Sequence, residues 1–285
     1  MRLLIVTADD FGLSPEVNEA VEIAHRTGIL TSASLMMAGP SAADAVARAR
    51  RMPNLRVGLH LTLVEGNPVL PRGEIADLVR QDGRLRTDMA GMSLGLALRP
   101  RARRQLEKEI AAQFEAYRKT GLVLDHIDAH KHFHVNPLIG EPLLRIGVGY
   151  GMRALRVPRE PAEVLRSLEP GGDIGGAGAV VRWLAQRLAR RARQMGIAFT
   201  DRVFGLAWTG AMTRERMEKL IKALPDGSTE IYAHPGTADT FPASVPGARY
   251  REELEALTAP SVLAAVREAN VAAGGYADEV GRGKG

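Results

Sequence analysis

The sequence has no cysteine, which excludes disulfides, thiolate metal ligands and cysteine nucleophiles. Aromatic residues make up only 5% of the chain, and they form no cluster of the kind on which nucleic-acid bases stack. No run of about 20 mostly apolar residues is present, so we expect no membrane-spanning helix. The short apolar run at the N-terminus is soon followed by acidic residues, unlike a signal peptide. We therefore expect a cytoplasmic protein that does not bind nucleic acid.

Hydrophobic residues (45%) and charged residues (25%) occur in the proportions of an ordinary globular protein. The 285 residues approach the size of about 250 to 300 residues at which single cores stop growing. We predict one domain over residues 1–285. The formal net charge of +5 permits anionic partners without requiring them.

Short apolar runs alternate with helical patterns along the chain. The predicted strands are Leu3–Thr7, Ser32–Met36, Val57–Leu63, Val123–Ala129, Leu155–Val157, Ala198–Phe204 and Glu230–Ala233. The predicted helices include Ala42–Arg51, Arg103–Lys119, Val181–Met195, Arg214–Leu224 and Pro260–Ala269. This alternation is typical of a parallel sheet built from βα units. Seven or eight units favour a TIM-like (β/α) barrel, with a doubly wound open sheet as the alternative.

Local signals mark the first helix and one loop. Ser14 is a predicted N-cap, Pro15 suits the first helical position, and Gly28 suits a left-handed C-terminal residue. The glycine-rich stretch Gly171–Gly178 is typical of a flexible loop within the domain.

Polar side chains follow several predicted strands at their carboxyl ends, where parallel βα folds place their functional groups. These residues are Asp9 and Asp10 after the first strand, His60 near the end of the third, the run from His126 to His134, and His234. An adjacent pair of aspartates is also common in exposed turns and helix caps. A single histidine such as His60 is also common as a hydrogen-bonded core residue.

The segment from His126 to His134 carries four histidines and Asp128 at alternate positions. If the segment is a strand, these side chains point to one face. Strand spacing separates positions four apart by roughly 13 Å, so at most one or two of the histidines can bind a given ion. A polar edge or a pH-sensitive cluster is the other interpretation. The pattern does not assign roles to His126, His132 and His134.

A carboxylate with two imidazoles is a common set of ligands for catalytic zinc. Magnesium prefers more oxygen ligands, so the nitrogen donors favour zinc, with magnesium or another transition metal as the alternative. We expect one divalent ion. Such an ion acidifies water and polarises a carbonyl oxygen, which the hydrolysis of an amide requires.

Four motifs resemble those of the YdjC-like carbohydrate deacetylases. They are Thr7-Ala-Asp-Asp-Phe-Gly-Leu-Ser14, Gly58-Leu-His-Leu-Thr62, His126-Ile-Asp-Ala-His130 and His234-Pro-Gly236. The resemblance implies a TIM-like barrel and a divalent ion held by Asp10, His60 and His130. Three further stretches are similar to the hopanoid-biosynthesis-associated HpnK type within the family: Ser32–Pro40, Leu63–Pro71 and Leu155–Glu160.

The resemblance also implies catalytic roles. Asp9 becomes the base, by similarity to the paired aspartate of NodB-type deacetylases, and His234 becomes the acid. Arg156 resembles the arginine that orients the catalytic carboxylate in that group, although a salt bridge at the surface is an equal alternative. Lys131 stands where the family often has a histidine. It is either a solvated lysine or a positive charge that faces the site.

These resemblances imply hydrolysis of an N-acetylglucosaminyl hopanoid to a glucosaminyl hopanoid and acetate. A soluble chitooligosaccharide deacetylase would use the same residues. A glycolipid-binding protein without catalytic activity is the alternative of a different class, but binding alone does not need a base and an acid. A metallo-phosphoesterase is disfavoured because no second metal centre is evident.

Two segments suit contact with a membrane. The first, Met89–Leu98, has no charge and is flanked by arginines, within a predicted loop or lid insertion over residues 72–104. The second, Arg182–Arg193, is a basic helical pattern that contains Trp183. This composition suits peripheral contact with an anionic inner-membrane surface. Both segments would equally suit core-packed helices with a solvated arginine face. The sequence is also compatible with a homo-oligomer.

Overall fold

A computed structural model describes residues 2–169 and 176–282. Seven strands form one sheet: β1 (Leu3–Phe11), β2 (Ser32–Leu35), β3 (Arg56–Leu61), β4 (Ile127–Ala129), β5 (Arg202–Phe204), β6 (Ser228–Ala233) and β7 (Ala272–Ala273). The strand order is β4-β3-β2-β1-β6-β5, and β7 also pairs with β1. Every one of these ladders is parallel. The predicted parallel α/β fold is therefore confirmed.

Helices connect the strands. They are α1 (Pro15–Thr27), α2 (Ala42–Arg50), α3 (Met89–Leu98), α4 (Pro100–Lys119), α5 (Pro137–Gly149), α6 (Ala162–Leu168), α7 (Gly176–Gln194), α8 (Arg214–Lys222), α9 (Tyr250–Thr258), α10 (Pro260–Ala269) and α11 (Tyr276–Arg282). A 3₁₀ turn at His130–Val135 follows β4. Of the predicted glycine-rich loop, residues 171–175 lie outside the described residues, and α7 begins at Gly176.

The sheet curls into a half-barrel that is consistent with a TIM-like fold, but it is not a closed barrel. β4 and β5 end the ladder. Within the described ranges, isolated parallel bridges at Ile127–Leu155 and Ala154–Ala198 lie beyond β4 in place of a further strand. The prediction of a closed barrel is wrong because residues 155–157 do not form a regular strand. Pro158 follows it and has no N–H with which to extend a ladder.

The central strand β1 is buried along its whole length. It is longer than the predicted Leu3–Thr7, and its ladder with β2 slips between Ala8 and Phe11. Asp10 lies in this irregularity with φ of 61°. Such a bulge redirects side chains, so Asp9 and Asp10 no longer follow simple strand alternation.

The predicted start of α1 is confirmed, because the Ser14 side chain accepts a hydrogen bond from the Val17 amide at 3.3 Å. The prediction for Gly28 is wrong, since its backbone is extended (φ −121°, ψ −152°). Glycine is required there for space instead. A Cβ would lie 2.3 Å from the Leu257 carbonyl oxygen of α9.

The predicted insertion over residues 72–104 contains α3 and the beginning of α4. Its buried side chains include Ile75, Leu78, Met92 and Leu96, which anchor the segment to the core. The role of this segment as a lid stays a prediction. No helix within the described residues combines the length and the apolar character needed to cross a bilayer.

Candidate active site

The carboxyl ends of β1, β3, β4 and β6 meet at one edge of the sheet. In the β3–β4 ladder His60 pairs with Asp128, and in the β1–β6 ladder Ala8 pairs with Ala233. Because the strands are parallel and adjacent, the residues that end them converge.

Asp10, His60 and His130 form the first cluster, in which one ligand atom of each residue lies within 4.8 Å of the others. The Asp10 Oδ1 atom lies 3.3 Å from His60 Nε2 and 3.1 Å from His130 Nδ1. Tetrahedral zinc ligands at about 2.0 to 2.2 Å from the ion are themselves separated by about 3.3 to 3.6 Å. The two separations from Asp10 lie at or just below this spacing, so the carboxylate and the two imidazoles could hold a single divalent ion.

The electrostatics of this cluster favour an ionised carboxylate. Burial raises the pKa of Asp10, but His130 and His60 outweigh burial and hold that pKa well below its ordinary value. Burial lowers the pKa of His60, yet Asp128 and Asp10 raise it well above its ordinary value. The carboxylate of Asp10 is thus available as an anionic ligand.

Asp128 orients His60. Its Oδ1 atom lies 2.9 Å from His60 Nδ1, so that ring nitrogen donates its proton to Asp128. His60 Nε2 is then left to face Asp10. Metal-binding histidines are commonly oriented by a carboxylate in this way. The Ser34 hydroxyl donates a further hydrogen bond to Asp128 Oδ2 at 3.0 Å.

Asp9 lies beside Arg156, which is 0% exposed. The guanidinium donates two parallel hydrogen bonds to the Asp9 carboxylate, at 2.7 and 2.8 Å. Arg156 is therefore not a surface salt bridge. Asp9, His60 and Asp128 also bring ligand atoms within 4.8 Å of one another, but the guanidinium already contacts both carboxylates there. The carboxylates of this second cluster therefore bind the Arg156 guanidinium.

The four histidines from His126 to His134 do not line one face, so that prediction is wrong. β4 ends at Ala129, and Lys131 and His132 adopt left-handed backbone conformations with φ of 55° and 51°. His130 alone of the four belongs to the Asp10 cluster. The others have separate partners: Asp125 and Ser34 for His126, Tyr232 for His132, and the Arg156 carbonyl for His134.

His234 follows β6 and lies beside Glu253 of α9. Its backbone N–H donates to the Glu253 carboxylate, and its Nδ1 atom lies 3.9 Å from Glu253 Oε2. Burial raises the pKa of Glu253, while His234 opposes that shift. The His234 ring packs edge-on against Tyr232, with centroids 5.7 Å apart.

The sequence did not single out Glu230 or Glu253 as functional groups, and it placed Asp128 in the histidine run without assigning it a role. Glu230 gave a readable signal, because a glutamate inside an apolar strand needs a buried partner. Glu253 gave none, since an acidic residue in the first turn of a helix is ordinary.

A cavity of about 610 Å³ opens beside the site. Its wall is mostly apolar and combines side chains from α3, the 3₁₀ turn and α7, among them Met89, Phe133, Val135, Val181 and Leu184. His132 and Tyr232 are among its polar lining residues. Lys131 also lines it and is 41% exposed in its side chain, with Nζ 2.5 Å from Glu65 Oε1.

Comparisons with known proteins agree on one family. A family model described as YdjC-like protein matches residues 3–268. A carbohydrate deacetylase of Geobacillus stearothermophilus is 30% identical over 275 residues, covering 95% of both chains. A chitooligosaccharide deacetylase of Serratia marcescens is 28% identical over 292 residues, covering 97% of this chain and 99% of that protein.

A crystal structure from Enterococcus faecalis V583, described as that of a candidate cellobiose-phosphate cleavage protein, has the same fold. It superposes with a TM-score of 0.76 at 24% identity, covering 97% of this chain and 98% of that one.

Proposed function

This chain belongs to the YdjC-like family, and we propose that it is a metal-dependent hydrolase that removes the acetyl group from an N-acetylglucosamine unit. The observation that carries the proposal is the convergence of Asp10, His60 and His130 within 4.8 Å, next to Asp9 and Arg156. The carbohydrate deacetylases among its relatives support the same chemistry.

Asp10, His60 and His130 would hold the ion, and zinc suits their two nitrogen donors best. When bound, a divalent ion supplies Lewis-acid chemistry that polarises the acetyl carbonyl and acidifies water. Magnesium, or a transition metal other than zinc, would serve the same purpose, but these three ligands match its preferred donors less well.

Asp9 would accept a proton from the attacking water. The Arg156 fork fixes the plane of the Asp9 carboxylate, so the base is already oriented before the substrate arrives. As the C–N bond breaks, His234 would donate a proton to the leaving nitrogen, since an amine anion is too basic to leave unaided. The water supplies the hydroxyl of the acid, and the products are acetate and an amino sugar.

The cavity supports a lipid-linked substrate, for which an N-acetylglucosaminyl hopanoid is the specific proposal. Pockets of about 300 to 1,000 Å³ accommodate small-molecule ligands, and this wall is mostly apolar. An apolar group attached to the sugar would lie between α3 and α7 while the acetyl group reaches the Asp10 cluster.

Exposed apolar side chains beside this cavity support peripheral contact with an anionic membrane. On α3, Leu94 is 60% and Leu98 is 70% exposed, and on α7 Trp183 is 57% exposed. Arginines flank α3 and lie within α7. Met92 and Leu96 are buried, so α3 is core-packed on one side and apolar on its exposed side.

A soluble chitooligosaccharide substrate is the second candidate, and the Serratia marcescens relative favours it. A binding protein without activity is the alternative of another class. The fixed Asp9–Arg156 pair argues against it, because binding alone does not need a buried, oriented base.

The test compares acetate release from N,N′-diacetylchitobiose with release from an N-acetylglucosaminyl hopanoid in detergent, using protein loaded with zinc. We expect release that stops when the metal is chelated and returns when zinc is restored, with a higher kcat/KM for the hopanoid. Higher kcat/KM for chitobiose would favour the soluble substrate. No release from either would contradict the proposed activity.

Two variants separate the lipid preference from general damage. Ala90→Trp fills the cavity from α3 and should lower kcat/KM for the glycolipid while leaving chitobiose unaffected. Val148→Trp, at an exposed position outside the cavity, is the matched control.

Flotation with vesicles of phosphatidylglycerol tests the membrane contact, which Leu94→Ser with Leu98→Ser should weaken.

A further inference from the structure

Arg156 is held by three carboxylates at once. Four hydrogen bonds join it to Asp9 and Glu230, two to each. Its Nη1 atom also lies 2.5 Å from Asp128 Oδ2. The two forks lie on different sides of the guanidinium, so Asp9 fixes one side and Glu230 the other.

Glu230 lies in the middle of β6, fully buried, where it pairs with Ile5 of β1 and Val203 of β5. Besides the two bonds from Arg156, it accepts hydrogen bonds from the hydroxyls of Thr7 at 2.6 Å and Tyr276 at 2.5 Å. Both carboxylate oxygens thus have two donors each, and this side chain has little freedom to move.

Tyr276 begins α11 and lies beyond residue 268, where the family match ends. It is fully buried. Its backbone N–H donates to Asp125 at 3.0 Å, and its ring stacks on His126 with centroids 4.7 Å apart. Since β7 pairs with β1 just before α11, the C-terminal segment is fixed where its tyrosine reaches Glu230.

We propose that Glu230 and Tyr276 are positioning residues that hold Arg156, and through it Asp9, in the orientation that the reaction needs. A chain of contacts then runs from the C-terminal helix to the base: Tyr276 to Glu230, Glu230 to Arg156, and Arg156 to Asp9. Neither residue touches the substrate. The effect on catalysis rests on the proposed function, whereas the effect on Arg156 does not.

The geometry gives the reason. An arginine side chain has several rotatable bonds, and a single fork to Asp9 leaves the pair free to tilt together. The second fork fixes the guanidinium plane, and the Tyr276 hydroxyl fixes the second carboxylate. A shift of about 1 Å in a reacting group can cost on the order of 10²-fold in rate.

Tyr276→Phe removes the hydroxyl and keeps the ring on His126. We expect kcat to fall on the order of 10-fold with KM and metal content unchanged, since the substrate and the ion make no contact with this residue. Tyr117→Phe is the matched control, because Tyr117 is equally buried but its hydroxyl bonds only backbone carbonyls. It should leave kcat per folded molecule unchanged.

Glu230→Gln keeps the shape and weakens the fork, and we expect about 10²-fold lower kcat. Glu109→Gln is its control, since Glu109 is fully buried but bonds Gln113 and two backbone amides. On an Arg156→Lys background, the Glu230→Gln loss should nearly vanish, because the two changes act on one chain of contacts. Full additivity would overturn the proposal.

A readout that does not depend on activity separates this inference from the proposed function. Hydrogen exchange of the Arg156 Nε–H, identified by NMR through its loss in Arg156→Lys, should accelerate in Tyr276→Phe and in Glu230→Gln but not in the two controls. Unchanged exchange and unchanged kcat in both variants would overturn the positioning role. If the wild-type protein has no deacetylase activity but exchange is still accelerated in the two variants, only the deacetylase proposal is contradicted.

Discussion

Asp9 and Asp10 are neighbours in the chain, yet their carboxylates lie in opposite surroundings. Asp10 faces two imidazoles, His60 and His130, which can exchange a proton for a metal ion. Asp9 faces the permanently charged guanidinium of Arg156. The irregularity in β1 at Asp10 (φ 61°) accounts for this separation over one peptide unit.

The comparison shows that closeness of carboxylates and imidazoles does not define a metal site by itself. Both clusters contain His60 and bring their ligand atoms within 4.8 Å. In one of them an arginine fork already balances the carboxylates, and arginine does not release its proton at accessible pH. The other offers ligands that deprotonate. A base and a metal centre can thus lie side by side without exchanging roles.

The strongest test of the Asp10 cluster is His130→Ala. We expect the metal content to fall from about one ion per chain to near zero and acetate release to become undetectable, since one of three proposed ligands is removed. Elemental analysis after gel filtration measures this. His25→Ala on α1, outside the site, should keep both. Full metal occupancy in His130→Ala would contradict the ligand assignment.

Asp9→Asn tests the other side of the comparison. It should lower kcat by about 10³-fold, within the range attributed to general-base catalysis, while elemental analysis finds the wild-type metal content. Asp44→Asn, a half-exposed aspartate on α2 that pairs with Arg48, controls for loss of a carboxylate. If Asp9→Asn loses its metal instead, the two aspartates do not have separate roles.

Asp128 contacts both regions, and Asp128→Asn should have an intermediate effect. It removes the anion that orients His60, and loss of such a partner lowers metal affinity by about 10- to 100-fold. Competition with a chromophoric chelator measures the affinity. Ser34→Ala, which removes one hydrogen bond to Asp128 and one with His126, should cost less. Equal affinities for wild type and Asp128→Asn would show that His60 is oriented by packing alone.

The positions of the polar residues in the sequence predicted the edge of the sheet where the site lies. Parallel strands bring their carboxyl ends together, so the positions of Asp10, His60 and His234 at the ends of predicted strands were informative. The failure of the barrel to close was not predictable, because closure depends on whether residues 155–157 pair along their whole length. Three residues before a proline cannot indicate that.

The resemblance implied separate roles for Asp9 and Asp10, but the backbone feature that separates their carboxylates was hidden from the sequence. It is a bulge in β1, and the residues there are not glycines. The turn at Lys131 and His132 was hidden for the same reason, since left-handed conformations at non-glycine residues carry no clear sequence signal. The periodicity of the histidines therefore predicted a strand face, whereas the backbone turns after Ala129.

The histidines near the Asp10 cluster and near the Asp9–Arg156 pair should also differ in their response to acid. Carboxylates outweigh burial at His60 and raise its pKa, whereas burial lowers the pKa of His134 to about 4. His134 Nε2 donates to the Arg156 carbonyl at 2.8 Å, and the ring stays uncharged at neutral pH. Since the unfolded chain binds this proton near pH 6.5, its contribution to stability is complete above that pH. It falls as the pH drops from about 6.5 to 4.

At 1.36 kcal/mol per pKa unit, this loss is at most roughly 3 kcal/mol. Urea unfolding of the chelator-treated protein between pH 7 and 4 measures it. His134→Gln removes the titration and should flatten the dependence in that window. His25→Gln, whose ring bonds the Leu30 carbonyl at a half-exposed position, should follow the wild type. Parallel curves for wild type and His134→Gln would mean that folding does not lower the pKa of His134, and the contrast between the two regions would then be limited to the carboxylates.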